Sequence, residues 1–334
     1  MAEFESVRDV FWNDREGRAR TPWRLGVGVV LLFVAAVSGA LVTSALAALA
    51  PDTALATPTA LFNTAAALVP YAAFTGALLV AAWLVDRRTP ADIGLRRSPA
   101  WGADLAFGLG LGVALPVLVF ALELATGSLR VTGTFVSRSS SVLPVGTDVA
   151  PSLALACTFA FFVGVGVFEE VLFRGYLLVN LAEGVDGFLG ASRRVALAGA
   201  TILTSVAFGV VHAANPSATP LALLNISLFG GLFAASYLLT DRIAVAIGFH
   251  VAWNFAVSSV FGFPVSGITT PVTVLAVEVS GPPLLTGGAF GPEGGLFALV
   301  ALVVGFGTLA GWVRWREGEL RVHGSVAVPD LRAG

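Results

Sequence analysis

The stretch LALACTFAFFVGVGVFEEVLFRGYLLVNL, residues 153–181, decides the fold class of this chain. It exceeds the ~20 residues with which a helix crosses ~30 Å of hydrocarbon. Membrane-spanning strands would instead be ~10 residues long with alternating polarity. The sequence therefore predicts an all-α polytopic membrane helix bundle with about eight transmembrane helices. The seven other apolar stretches are 25–50, 61–85, 105–125, 195–211, 221–239, 243–263 and 296–313.

The composition agrees with a protein whose main partner is the lipid bilayer. Of the 334 residues, 56% are hydrophobic and 12% are charged, and the mean hydropathy is +0.87. A water-soluble domain usually carries about 25% charged residues. The net charge of −2, without a basic patch interleaved with aromatic residues, excludes nucleic acid as a partner. Because Cys157 is the single cysteine, an internal disulfide and a multi-cysteine metal cluster are also excluded.

The distribution of arginines predicts how the bundle is oriented. All 19 basic residues are arginines. Sixteen of them lie in the two termini and in every second connection, which all fall on the same side of the membrane. The opposite side holds Arg130 and Arg138, and its connection 264–295 is expected to be a long, irregular external loop. Since positive loops stay in the cytoplasm, we expect a multi-pass protein of the cell membrane with both termini cytoplasmic. The predicted parts are an N-terminal segment at 1–24, a single bundle at 25–313 and a tail at 314–334.

Ionisable side chains inside the fourth stretch are the first functional signal, because each costs about 2.5–3.5 kcal/mol at the bilayer centre. This stretch contains Glu169, Glu170 and Arg174. On an α-helix Glu170 and Arg174 share a face, which predicts an ion pair. Glu169 is rotated by about 100° and must face another partner. An ion pair that served only to fix the packing of the helices would need one glutamate, so the second glutamate favours a functional site.

Two further stretches carry polar groups. His212 ends the fifth stretch, and His250 and Asn254 lie four residues apart on one face of the seventh. Histidines in two spans beside a glutamate pair favour one shared polar site. Straight helices would place His212 about 25 Å and His250 about 10 Å from the cytoplasmic edge. We therefore expect the connection 213–220 to tuck into the bundle, or the fifth helix to tilt.

These residues resemble the CPBP family of intramembrane proteases, also called the CAAX protease and bacteriocin-processing or Abi family. The sequence lacks the His-Glu-x-x-His, Gly-x-Ser-Gly and Gly-x-Gly-Asp motifs of three other classes of intramembrane protease. The segment 88–95, RTPADIGL, is also similar to what the CPBP family carries between its second and third spans. The protease core implied is about 150–263. The motifs of the resemblance are Glu169-Glu170-x-x-x-Arg174, Phe208-x-x-x-His212 and His250-x-x-x-Asn254.

The resemblance implies an intramembrane CAAX-type endopeptidase, glutamic or metallo-type, acting on a membrane-associated peptide that is prenylated in the eukaryotic branch. In the preferred mechanism no cofactor takes part. Glu169 is the general base helped by His212, and His250 and Asn254 donate hydrogen bonds to the oxyanion. Asn254 favours this mechanism because a carboxamide is a poor zinc ligand. The implied catalytic residues are Glu169, Glu170, His212, His250 and Asn254, with Arg174 as a structural ion pair.

Three alternatives stay open at this stage. In a zinc-dependent version of the same protease, Glu169, His212 and His250 hold the metal and the other glutamate is the base. A transporter or proton relay also uses intramembrane Glu, His and Arg, but it predicts inverted repeats and several broken helices. A non-catalytic immunity-type binder would not need all five site residues. The sequence does not select the substrate.

Overall fold

A computed structural model describes residues 7–14, 16–48, 56–140, 142–189 and 192–332. Arg15 and the end of the first predicted stretch, residues 49–50, lie outside the described residues. Within those ranges the bundle is built from long helices that follow the predicted stretches in order. They are α1 Thr21–Ala48, α2 Ala56–Val80 with Ala81–Val85, α3 Pro99–Ala125, α4 Pro151–Glu170 with Val171–Leu178 and Val179–Leu189, α5 Arg193–Val211, α6 Pro220–Thr240, α7 Ala244–Phe255 with Ala256–Val260, and α8 Leu296–Glu317.

The polytopic helix bundle is confirmed, with one helix shorter than its stretch predicts. Seven helices of the described chain are long and apolar enough to cross a membrane, and the shorter apolar helix is Ala244–Val260. The stretch 243–263 overestimates α7 because Gly262 leaves the helix with φ +71°, and a Cβ there would lie 2.2 Å from the Leu275 carbonyl oxygen. The chain turns at this point to meet a strand.

Helix α7 is the centre of the bundle. All residues of 244–253 are buried, so it packs against other helices rather than lipid. Its closest neighbour is α3, where a Cβ added at Gly108 would lie 2.3 Å from the Val245 carbonyl oxygen and one at Gly112 would lie 2.5 Å from that of Phe249. Small residues four apart let two membrane helices approach closely. The approach holds the His250 helix at a fixed position.

The described parts of the N-terminal segment and the tail lie at the same end of the bundle. Arg87 joins them, because its guanidinium donates to the carbonyls of Glu16 (3.1 Å) and Arg332 (3.1 Å). The N-terminal segment contains a short helix, Val7–Phe11, and the paired strands β1 Trp12–Asn13 and β2 Arg18–Ala19. We call this the arginine-rich end and define it by the described residues of 7–20, 86–98, 241–243 and 318–332.

A buried ionic network holds the arginine-rich end together. Glu183 of α4 accepts hydrogen bonds from Arg18 (2.8 Å), Arg24 (2.7 Å) and Arg88 (2.5 Å), all of which are at most 1% exposed. Arg24 also lies 3.5 Å from Asp86. Burial raises the pKa of Asp86 above its ordinary value, and the Arg24 guanidinium opposes that rise. Because its charge is paired, Arg24 lies inside α1 rather than in a solvated segment before it.

The opposite end carries a two-stranded ribbon. Strand β3, Leu129–Ser137, pairs antiparallel with β4, Val272–Val279, and Arg130 pairs with Glu278 across it (2.5 Å). The prediction that 264–295 is irregular was wrong for 272–279. The β-branched run of β4 forms a strand because its partner, distant in sequence, lies beside it. We call this the arginine-poor end, defined by the described residues of 126–150, 212–219 and 261–295.

Replacing Glu183 should destabilise the bundle strongly. Glu183→Gln leaves three buried guanidinium groups without their shared carboxylate, and breaking a buried pair costs roughly 3–5 kcal/mol. The free energy of unfolding in detergent micelles measures this. The matched control is Glu319→Gln, whose carboxylate pairs with Arg321 at about two-thirds exposure and should cost at most about 1 kcal/mol. Equal stabilities of the two variants would contradict a structural role for the network.

Candidate active site

Helix α4 positions the two glutamates where its geometry changes. The helix passes from α to π form at Val171, directly after Glu169 and Glu170. Single π segments inside α-helices are frequent at functional sites. The predicted ion pair is present, with Arg174 Nη1 3.0 Å from Glu170 Oε1 and both side chains fully buried.

Arg174 is held from several sides. Its Nη2 donates to the Gly230 carbonyl of α6 at 2.9 Å. Its guanidinium carbon also lies 4.6 Å from the ring centroid of Phe208 and 5.0 Å from that of Phe233. Desolvated cation–π contacts of this kind stabilise a buried guanidinium. Arg174 thus joins α4, α5 and α6 around Glu170.

His250 of α7 connects the two glutamates. Its Nδ1 lies 2.9 Å from Glu170 Oε1, and because an ionised carboxylate only accepts, Nδ1–H is the donor. Its Nε2 lies 3.8 Å from Glu169 Oε2. The imidazole stacks on Phe233 with centroids 5.5 Å apart, and the edge of Phe208 approaches it at 5.9 Å. These contacts fix the ring so that Nε2 is directed towards Glu169.

His212 lies in the short helical turn His212–Ala214 that ends α5. Its Nδ1 is 2.7 Å from the Phe208 carbonyl oxygen. A carbonyl only accepts, so Nδ1 carries the hydrogen and Nε2 of the neutral ring is left as an acceptor. The turn after it contacts the neighbouring connection, with the Asn215 amide donating to the Ser266 carbonyl at 3.1 Å. Most residues of 213–220 are exposed, so the expectation that this connection tucks into the bundle is wrong.

A cavity of about 470 Å³ brings four of the predicted site residues together: Glu169, His212, His250 and Asn254. Phe208 lies between the two imidazoles, 5.1 Å from that of His212. Most of the wall is aromatic or aliphatic. Glu170 does not belong to the wall, because it lies behind His250 with a fully buried side chain. Glu169, in contrast, has a partly exposed side chain, and no described residue hydrogen-bonds its Oε2.

One further polar residue of the cavity, Glu293, was not among the residues predicted from the sequence. Its Oε1 accepts from the indole N–H of Trp253 (2.8 Å), and its Oε2 accepts from the backbone N–H (2.5 Å) and hydroxyl (2.8 Å) of Ser266. It is 5% exposed. A lone carboxylate in the glycine-dense run 287–295, GGAFGPEGG, was the available signal. Glycines at positive φ are typical of a loop with a specific fold.

The described side chains do not form a zinc site as they are arranged. A catalytic zinc takes three protein ligands. Among the described residues, no group of three or more His, Cys, Asp or Glu side chains is placed to hold a metal ion. Glu169 and His250 are two neighbouring donors, and His212 does not complete a set with them. The metal-free mechanism stays a prediction.

Comparison with known proteins gives the family of this region. Residues 151–256 match the family model of the type II CAAX prenyl endopeptidase Rce1-like proteins. The chain carries an Rce1-like domain. The match confirms the resemblance to the CPBP intramembrane proteases, and the Rce1-like segment contains all seven residues of the three motifs. No curated protein matches the chain. Tyr71 and Glu293 line the same cavity from outside the Rce1-like segment.

Removing Arg174 should lower the free energy of unfolding more than removing an exposed arginine does. Arg174→Ala takes away the cationic partner of Glu170 and the contact with Gly230, and we expect a loss of roughly 3–5 kcal/mol in the free energy of unfolding. Thermal or denaturant unfolding of the purified protein measures it, with Arg316→Ala on the surface of α8 as the control. An Arg174→Ala protein as stable as the parent would show that the pair does not support the bundle.

Proposed function

We propose that this protein is a glutamic-type intramembrane endopeptidase that hydrolyses a peptide bond of a membrane-associated substrate. One observation carries the proposal: Glu169, His212, His250 and Asn254 line one cavity inside the Rce1-like segment. A water molecule, a base, an acceptor and two hydrogen-bond donors are the groups that peptide hydrolysis needs. The family implies protease activity, and the assignment of roles below is ours.

Glu169 is the general base. Its side chain lines the cavity, and its buried Oε2 has no hydrogen-bond partner among the described residues, so this carboxylate is the one available to accept a proton from a water. His212 Nε2 accepts the second O–H of that water and orients it. Glu169 takes one proton while the water oxygen forms a bond to the substrate carbonyl carbon. The C–N bond then breaks as Glu169 returns the proton to the leaving nitrogen.

His250 and Asn254 stabilise the oxyanion of the intermediate. His250 with both nitrogens protonated keeps its Nδ1–H on Glu170 and presents Nε2–H to the cavity. Asn254, one turn further along α7, lines the same cavity, and we assign its amide N–H as the second donor. Donors held in advance in a site of low dielectric stabilise a developing negative charge without reorganisation.

Glu170 acts as a positioning residue and does not touch the substrate. Its carboxylate holds His250 through Nδ1, and Arg174 balances its charge. In this mechanism two carboxylates, one guanidinium and one doubly protonated imidazole give these four groups no net charge. Such balance is what allows ionised groups to persist away from water.

Glu169→Gln or His212→Ala should abolish cleavage without unfolding the protein. Neither residue supports the ion pair of α4, so stability should stay near that of the parent. The assay uses purified protein in proteoliposomes with quenched peptides: a CAAX-type peptide, prenylated and unprenylated, and an apolar peptide blocked at both ends. Glu278→Gln, an exposed carboxylate on β4, is the matched control and should cleave at the parental rate. Parental turnover by Glu169→Gln would remove this residue from the mechanism.

Substitutions of Asn254 separate the metal-free from the metal-dependent mechanism. Loss of one oxyanion donor lowers turnover by about 10²–10³-fold, so Asn254→Ala should lower kcat and leave KM nearly unchanged. Asn254→Asp places a negative charge beside the oxyanion and should be strongly inhibitory. Kinetics with and without a chelator, with parallel metal analysis, measure this. A fully active, metal-rich Asn254→Asp protein would overturn the metal-free mechanism.

A further inference from the structure

The cavity of the Rce1-like segment is built from only one end of the bundle. Besides helix residues, its wall contains residues of the connections, and each of these belongs to the arginine-poor end. No described residue of the arginine-rich end, as defined above, lines it. The connection residues in the wall are Val142, Asn215, Val265, Ser266, Ile268 and Glu293.

Packed side chains fill the space between the cavity and the arginine-rich end. Directly beyond Arg174, a Cβ added at Gly175 would lie 3.2 Å from the Ile93 carbonyl oxygen. The next residue, Tyr176, is 2% exposed and donates its hydroxyl to the Arg24 carbonyl at 3.2 Å. The ionic network around Glu183 lies beyond Tyr176, at the arginine-rich end itself. A peptide approaching from that end would have to displace this whole layer.

The loop that carries Glu293 is held at the arginine-poor end by hydrogen bonds from helices α6 and α7. Glu293 is bound by Trp253, which precedes Asn254 on α7, and its backbone carbonyl accepts from the Asn225 amide of α6 at 2.8 Å. Ser266, also bound by Glu293, belongs to the same wall. The arginine-poor end therefore shapes the approach to the site.

The charge of the wall also bears on the substrate. Its titratable members among the described residues are two carboxylates, Glu169 and Glu293, two histidines and the phenol of Tyr71, and no arginine lines it. Arg174 is fully buried behind Glu170 and does not reach the cavity. A free terminal carboxylate would therefore meet carboxylates and no guanidinium, whereas an apolar internal segment fits the aromatic wall.

The arginines decide which compartment this end faces. Fifteen of the described arginines, including Arg8, Arg87 and Arg316, lie towards the other end, and positively charged loops are retained in the cytoplasm. We propose that the site opens to the extracytoplasmic side and takes an apolar peptide segment presented at the outer leaflet. This inference rests on the proposed peptidase function. A lipid-anchored tail in the cytoplasm would lie on the wrong side of the membrane.

Cysteine labelling in intact cells tests the side of access. Cys157 is the single cysteine and is buried, so Cys157→Ser provides the background. Ile268→Cys reports on the cavity wall. Ser217→Cys and Ser325→Cys are matched substitutions of exposed serines at the arginine-poor and arginine-rich ends. A membrane-impermeant maleimide is applied before and after permeabilisation, and labelling is read by mass shift.

We expect the Ile268→Cys and Ser217→Cys proteins to react in intact cells, and the Ser325→Cys protein to react only after permeabilisation. The reverse pattern, or reaction of both serine variants from one side, would overturn the proposal. It would equally be overturned if the Ile268→Cys protein reacted only after permeabilisation or not at all. Labelling needs no turnover, so its result is independent of the cleavage assays that test the peptidase itself.

Discussion

A carboxylate buried at the centre of an apolar bundle must be neutralised, and Glu170 imposes this constraint on four helices, α4 to α7. Arg174 supplies the charge from the same helix, and His250 supplies a hydrogen bond from α7. Phe208 and Phe233 enclose both partners. The ring of His250 is thereby fixed, and its second nitrogen is directed to Glu169. The proposed chemistry depends on that orientation, because a misplaced donor or base loses most of its effect.

The two ends of the bundle differ in structure: one is closed by ion pairs, and the other forms the cavity. At the arginine-rich end, Glu183 and Asp86 pair with guanidinium groups that are otherwise costly to bury, and the end is closed by this network. At the arginine-poor end, residues of the connections, including Glu293 of the glycine-rich loop, line the cavity. Rigid closure on one side and a shaped opening on the other suit a hydrolase, which must admit water and peptide without letting the bundle come apart.

Much of this architecture could be predicted because membrane insertion leaves few options. Backbone groups in hydrocarbon must bond within their own segment, so long apolar stretches are helices. The residues Glu170 and Arg174, four apart, predicted their own ion pair, since i,i+4 contacts are local. Strand β4 was missed because its pairing with β3 joins residues more than a hundred positions apart. The pattern of residues along one segment does not identify a strand partner that is distant in sequence.

The sequence by itself determined the helical bundle, its arginine asymmetry and the polar residues of the site, because these follow from composition and from spacing along single helices. Only the tertiary structure decided that His250 bonds Glu170 while facing Glu169, and that Glu293 joins the same cavity. It also decided which end of the bundle forms the cavity. Contacts between helices depend on the depth and tilt at which each one packs, and no single helix encodes its own depth relative to the others.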